Sequence, residues 1–303
     1  MTLNVNQVFI SMIRNRIYQH LIKEKIREKK FLVPIHLAMG HEAIATAIKF
    51  SCINIDSIFC THRNLHYNVA FSKSFLSEYN ELILSKDSNS QGKLGSMNLF
   101  DPNTPIKYSS SILGNNLAIA CGYAFSNKSD NNSIVYAVTG DGAIEEGIFY
   151  EALLFAKSMG LKIIFIVENN SWSLATKIIE RRSPIDLKKL SDSFDIGYTN
   201  LKTNDVVEYV NAINLARNHV VTQSLPHIIE VNLSTLGYMY TEEGRCINYH
   251  AGLAKNISLS VDDVILSRKD NEDPLYILSK FIGSEAFEIL VSDIFKEENL
   301  VPR

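Results

Sequence analysis

Two apolar runs lie one helix-length apart in the middle of the chain, and each closes on polar residues with chemistry. Ser133-Ile134-Val135-Tyr136-Ala137-Val138 is apolar without alternation, the pattern of a strand buried on both faces. Gly140-Asp141-Gly142 follows it. Glu145 and Glu146 then open a helical pattern, where acidic residues suit the positive end of the helix dipole. Phe149, Leu153, Ala156 and Met159 recur at three- and four-residue spacings, and Gly160 supplies a C-terminal stop. Leu161 to Val167 is a second buried strand, ending in Glu168-Asn169-Asn170. Strand, glycine turn, helix and strand make a right-handed βαβ unit. Asp205 to Val221 adds a helix and His227 to Val231 a further strand. The expectation is an α/β fold, a parallel sheet flanked by helices.

The flanking segments read as helices and loops. An amphipathic N-terminal helix is predicted over 5–30, with Val8, Met12, Ile13, Ile17, Leu21 and Ile22 on its apolar side and Lys23 to Lys30 as its solvated end. Ser85 to Gly92 and Ser126 to Asn132 are polar loops. Ala118, Ala120, Gly122 and Ala124 put small residues along another helix, which suits either tight internal packing or a subunit contact. Leu236 to His250 has no firm periodicity and is expected to be mobile until a cofactor or partner orders it. Pro274 to Phe295 begins a C-terminal helical region reaching 303.

Composition narrows the classes. A chain of 303 residues with 46% apolar content can bury a large core, so one α/β domain spanning 1–303 is expected. A net charge of −3 gives no electrostatic case for nucleic acid. No apolar stretch is long enough to span a bilayer and no signal peptide is visible at Met1, so a cytoplasmic protein without membrane attachment is expected. Cys52, Cys60, Cys121 and Cys246 lack metal-ligand spacing and read as free thiols in a reducing cytosol.

The polar closures of the two strands carry the candidate chemistry. Ligands of parallel α/β sheets sit beyond the carboxyl ends of the strands, where both Asp141 and Asn170 lie. A Gly-Asp-Gly alone is also ordinary turn chemistry, and Asn-Asn after a strand is common in loops. Together at this spacing they place a carboxylate, a carboxamide and a helix start at one crevice. A divalent ion carrying a diphosphate requires that set.

Residues 140–176, GDGAIEEGIFYEALLFAKSMGLKIIFIVENNSWSLAT, resemble the thiamine-diphosphate motif of the alpha subunits of 2-oxoacid dehydrogenases of the pyruvate, branched-chain and acetoin type. HLAMGHEAIATAI (36–48), FCTHRNLHYNVA (59–70), GKLGSMNLF (92–100) and SSILGNNLAIACGYAF (110–125) are similar to further motifs in the family's order, so the likeness covers roughly Pro34 to Leu233. It implies the thiamine-diphosphate-binding fold, with Mg²⁺ held by Asp141, Asn170 and the backbone carbonyl of Trp172. It also implies that Gly140, Gly142 and Ala143 meet the diphosphate with Arg63, and that Ile112, Leu113 and Gly114 lie against the aminopyrimidine ring. His62 and His66 become candidate acid/base groups beside the cofactor, though a histidine in such a place is also often structural. The activating glutamate comes from a separate beta subunit in this family, so a hetero-oligomer with two copies of each chain and a 2-oxo acid substrate are implied.

Two motifs depart from the family. Asn98 stands where the family often has His, and it cannot transfer a proton near neutral pH. The family's "T-Y-R-x-x-G-H-S" loop is replaced by Asn232 to Tyr240, with Tyr238 nearest the missing histidine. Asn98, His66 and Tyr238 are therefore candidate specificity positions, and lipoyl-linked dehydrogenase activity is less secure than cofactor binding. The readings are an alpha-type subunit decarboxylating a 2-oxo acid, the diphosphate-binding half of a split transketolase or carboligase, and a non-catalytic scaffold.

Overall fold

The computed structural model describes residues 4–72, 74–99, 101–129, 132–174, 176–236 and 264–299, together with the backbone of a two-stranded ribbon at 239–240 and 246–247. The framework is a six-stranded sheet built from β1 (Ser57–Cys60), β2 (Ile106–Ser109), β3 (Val135–Gly140), β4 (Ile163–Asn169), β7 (Gly197–Leu201) and β8 (His227–Asn232), in the order β2-β1-β3-β4-β8-β7. Every neighbouring pair is parallel. Between β4 and β7 in the chain lie two short antiparallel strands, β5 (Trp172–Ser173) and β6 (Thr176–Lys177).

The unbroken apolar runs are explained by the two cores. Val135 and Ala137 of β3, with Ile163, Phe165 and Val167 of β4, face one layer of helices. Tyr136, Val138, Ile164 and Ile166 face the other. The first layer holds α5 (Asn115–Ser126), α6 (Gly147–Met159) and α8 (Leu187–Phe194). The second holds α1 (Val5–Arg27), α2 (Glu42–Ser51), α3 (Leu65–Phe71), α4 (Phe75–Leu82), α9 (Val206–Gln223), α10 (Pro274–Ile282) and α11 (Ser284–Glu297). A four-residue helix, α7 (Ile178–Arg181), follows β6.

Strand order fixes where a ligand site can be. The chain leaves β1 towards β2 on one side of the sheet and leaves β3 towards β4 on the other. The reversal opens a crevice between the carboxyl ends of β1 and β3. Asn116, early in α5, spans it from below: its Nδ2 donates to Val138 O at 2.6 Å and Phe59 O at 3.4 Å.

Several boundaries and faces differ from the sequence reading. Glu145 belongs to a 3-10 turn over Ala143–Glu145, and the helix proper starts at Gly147. Phe149, Leu153 and Ala156 are buried, but Met159 is 37% exposed because the last turn of α6 runs past the sheet. Ala120 and Ala124 pack inward while Ala118 and Gly122 face out, since a spacing of two residues turns about 200° round a helix. The final helical region is two helices broken at Gly283, whose φ is 89°.

The largest departure is α1. It ends at Arg27, with Arg27 to Lys30 exposed as expected, but Lys23 is buried, and so are Asn15, Arg16, Gln19 and His20, interleaved with the apolar residues. Arg16 explains why. Its guanidinium donates to both Glu42 oxygens at 2.6 and 2.8 Å and to both Asp273 oxygens at 3.1 and 3.0 Å, and it adds a bond to Val264 O at 2.9 Å. Glu42 also accepts from Gly40 N and Gln19 Nε2. One fully buried cation thereby ties α1 to the start of α2 and to the C-terminal helices. Among the described residues no helix is long and apolar enough to cross a membrane.

Arg16→Leu leaves two buried carboxylates without their counter-charge. It is expected to lower unfolding free energy by about 3–5 kcal/mol, seen as a lower urea midpoint; a midpoint unchanged from wild type contradicts this role.

Candidate active site

The crevice at the strand reversal is an open cleft of about 610 Å³. Thr61, His62 and Arg63 come to it from β1, Thr139 to Ala143 from β3, Glu168 and Asn170 from β4, and Trp172 to Leu174 from the hairpin beyond. His41 and Leu113 complete the wall. Of the residues singled out in the sequence, His62, Arg63, Leu113, Gly140, Asp141, Gly142, Ala143, Asn170 and Trp172 line this cleft. His66, Asn98, Ile112 and Gly114 do not. His66 is fully buried behind the wall, whereas Ile112 is 65% exposed. Asn98 sits in a 3-10 turn over Ser96–Asn98 that is tied back to Pro34 O through Ser96. Gly114 adopts φ 74° as the residue that starts α5, where a side chain would also strike Ile148. Tyr238 lies outside the described residues.

Glycine at 142 has a reason other than the expected turn freedom. Its φ is −77°, open to any residue, but a Cβ there would stand 2.6 Å from Ser173 Oγ. The hairpin therefore closes directly over the Gly-Asp-Gly backbone. Gly142 and Ala143 head the 3-10 turn, whose own bonds use the N–H groups of Glu145 and Glu146. The N–H groups at its open end are those of Gly142 and Ala143.

Asp141 is almost fully buried. Burial pushes its carboxyl up from the usual range, opposed by Arg181. Arg181 donates to Asp141 Oδ2 at 2.5 Å, to Glu145 Oε1 at 2.6 Å and to Thr176 O at 2.9 Å. Arg182 adds bonds to Glu145 Oε1 at 2.7 Å and to Asp141 O at 3.2 Å. Two arginines and two carboxylates make a neutral cluster at the cleft mouth. Nothing in the local sequence signals this pair, because α7 folds back onto β3 from forty residues away.

Glu168 forms the second cluster. Its Oε1 accepts from Tyr67 OH at 2.7 Å and His66 Nε2 at 2.9 Å, and its Oε2 faces His41 Nδ1 at 3.2 Å. Burial alone would raise its carboxyl, but His66 and His41 outweigh that and hold it well below the usual range. His41 is pushed down by burial, against the pull of Glu168. A signal for this cluster existed: a carboxylate ending a strand buried on both faces must find donors. His41, His66 and Glu168 bring three ligand atoms within 4.8 Å of one another, the one such His/Cys/Asp/Glu group among the described residues. The hydrogen bonds just given already satisfy its carboxylate.

Arg63 and His62 supply the remaining polarity. The Arg63 side chain donates to Leu37 O and forms no ion pair among the described residues. Burial pulls its pKa down while Glu168 and Asp141 pull it up. His62 stacks edge-on to His36 at 5.1 Å and is pushed down to about 4, by burial first and Arg63 second. Its imidazole is thus neutral at pH 7. Thr139 Oγ1, in the cleft wall, is buried without a hydrogen-bond partner among the described residues.

The model of the dehydrogenase E1 component family matches residues 11–235. The pyruvate dehydrogenase E1 component subunit alpha of Rickettsia bellii is 32% identical over 197 residues, which cover 65% of this chain and 60% of that protein. The Rickettsia conorii protein of the same name is 30% identical over 265 residues, covering 86% of this chain and 79% of the relative. The chain thus spans about 60% of the length of the first relative. Among solved structures, a transketolase from Leishmania mexicana is similar with a TM-score of 0.59 at 15% identity, over 98% of this chain and 48% of its own. A Pichia stipitis transketolase gives 0.57 at 16%, over 98% and 45%. At such identity the likeness is one of fold.

The depressed His62 predicts a pH effect of definite sign. The fold favours the neutral ring, so this contribution to stability is complete above the ordinary value of 6.5 and is lost as pH falls towards 4. His62→Gln is expected to flatten the loss of thermal stability between those pH values. The His62 ring should titrate near 4 by NMR, and a midpoint near 6.5 contradicts the burial argument.

Proposed function

The chain belongs to the dehydrogenase E1 component family, and from that premise we propose that it is the alpha-type subunit of an alpha/beta enzyme that uses thiamine diphosphate and Mg²⁺ to decarboxylate a 2-oxo acid and pass on the acyl or aldehyde unit. The observation that carries this reading is the convergence of Arg63, the Gly142–Ala143 turn, Asp141, Asn170 and Trp172 on one cleft at the strand reversal.

The residues present fit the group. Asp141 and Asn170 offer side-chain oxygens and Trp172 a backbone carbonyl, the hard donors that Mg²⁺ takes alongside phosphate oxygens. A cation at Asp141 takes over from Arg181 as its counter-charge. Arg63, with its fork uncommitted to any carboxylate among the described residues, and the N–H groups of Gly142 and Ala143 suit the diphosphate. Thr139 Oγ1 offers a further polar atom to a ligand in the cleft. Leu113, Leu174 and Trp172 provide apolar wall against which a ring system packs. The cofactor, when bound, supplies the electron sink for the carbanion left as carbon dioxide departs. His62, neutral near pH 7, can accept a proton at the cleft wall.

The partner follows from the carboxylates. Among the described residues of the cleft wall, only Asp141 and Glu168 carry one, and both are committed, to Arg181 and to His41, His66 and Tyr67. This supports an activating glutamate supplied by a beta-type chain, as the family resemblance implies. Ile119, Tyr123, Phe125, Leu154 and Phe155 leave large apolar groups exposed on α5 and α6, which supports burial against other subunits, two copies of each chain in all. Buried thiols at Cys60 and Cys121, both raised by burial, suit a reducing cytoplasm.

Thiamine diphosphate with Mg²⁺, at about a hundred times Kd, is expected to stabilise the protein by ~2.7 kcal/mol, a rise of several degrees in Tm with the beta-type partner present. Asp141→Asn should remove the rise, and absence of any rise in wild type sinks the cofactor reading. The chain alone should turn over 2-oxo acids at a negligible rate; full turnover without a partner would refute the borrowed glutamate.

A further inference from the structure

His41 starts α2 yet does not cap it: its side chain makes no bond to the helix's free N–H groups. Instead the ring is turned inward, Nδ1 to Glu168 Oε2 at 3.2 Å and Nε2 to Thr235 Oγ1 at 2.9 Å. Thr235 is 4% exposed, on the loop that leaves β8. That loop is pinned at both ends, by Leu233 N to Asn169 O at 3.1 Å and Leu236 N to Met39 O at 2.7 Å. Thr235 Oγ1 also accepts from Asn170 Nδ2 at 2.8 Å. We propose that Thr235, held by His41, is a positioning residue that fixes the Asn170 carboxamide with its oxygen available to the divalent cation; this rests on the cation–diphosphate reading above.

The polarity of the chain of bonds gives each group one role. A carboxylate only accepts, so His41 Nδ1 carries the hydrogen towards Glu168. In the neutral ring His41 Nε2 is then an acceptor, and the Thr235 hydroxyl donates to it. The Thr235 oxygen keeps its lone pairs for Asn170, so Asn170 must present its NH₂. At the other end, the backbone N–H of Trp172 donates to Asn170 Oδ1 at 3.0 Å. Turning the amide over would set two donors against each other at Trp172 and leave its oxygen facing the Thr235 oxygen. The carboxamide therefore has one orientation, and Oδ1 retains one lone pair for a ligand in the cleft that Asn170 lines. Were His41 protonated it would donate to Thr235 and free the hydroxyl hydrogen, and the backbone N–H of Trp172 alone would then hold the amide oxygen in place. Outer partners of metal ligands typically alter affinity by roughly 10–100-fold, which sets the scale here.

Mn²⁺ binding to the chain together with its beta-type partner and saturating thiamine diphosphate, followed by electron paramagnetic resonance, tests this without reference to turnover. Thr235→Val keeps the shape and removes the oxygen; it should weaken Mn²⁺ by roughly 10–100-fold. Thr235→Ser should restore affinity to within about threefold of wild type, on the same scale. His41→Phe, which keeps a ring but removes both nitrogens, should weaken Mn²⁺ in the same direction and serves if Thr235→Val does not fold. A purely structural role predicts lower Tm with unchanged Mn²⁺ affinity in the folded variants, and that result overturns the inference while leaving the cation reading intact. If wild type binds no Mn²⁺ under these conditions, the reading and the inference both fall.

Discussion

Six strands all running one way is the constraint on which this molecule depends. It forces every strand to be covered on both faces, which accounts for the two helical layers. It also delivers every carboxyl end to the same edge. Residues that are distant in the chain, such as Thr61, Asp141, Asn170 and Thr235, therefore meet without any of the intervening segments having to specify the meeting. The reversal between β1 and β3 supplies the gap, and Asn116 holds the two strand ends at a fixed separation below it.

Charge is handled differently on the two sides of that gap. Near the floor, Glu168 is ringed by Tyr67, His66 and His41, which hold it ionised against the cost of burial. Near the mouth, Asp141 has an arginine as its partner, on a short helix with little burial of its own. The first arrangement is rigid because the carboxylate is held by three hydrogen bonds from two different segments of the chain. The second is held by a segment that makes few apolar contacts. The cleft thus has a fixed floor and an adaptable rim.

Much of this was legible in the sequence, for physical reasons that can be named. Continuous apolar runs placed β3, β4 and β8 to within two residues at each end, because strands buried on both faces have no alternation to confuse the reading. Asp141 and Asn170 could be placed because they directly follow those strands. The failures have causes too. In α1 the exposed end was legible from Arg27 on, but the burial of Arg16 was not, because its carboxylate partners come from residues 42 and 273. His66 reads as a catalytic candidate by its motif, but one turn of α3 puts it on Glu168, behind the wall. Arg181 and Thr235 reach the site through loops, where local pattern carries no information about direction.

The bond between Arg16 and Asp273 also has a meaning in time. The two residues are 257 positions apart, so the partner of the cation in α1 is made long after it. At synthesis rates of about 5–20 residues per second, α1 waits on the order of ten seconds or more for the carboxylate that completes its shell. During that interval Glu42 is the carboxylate available to Arg16, and the shell of the cation is incomplete. Commitment of the N-terminal helix, and with it the segment that carries His41, is thereby deferred until the C-terminal helices arrive. The segment that carries Asp273 acts as the closing signal for α1.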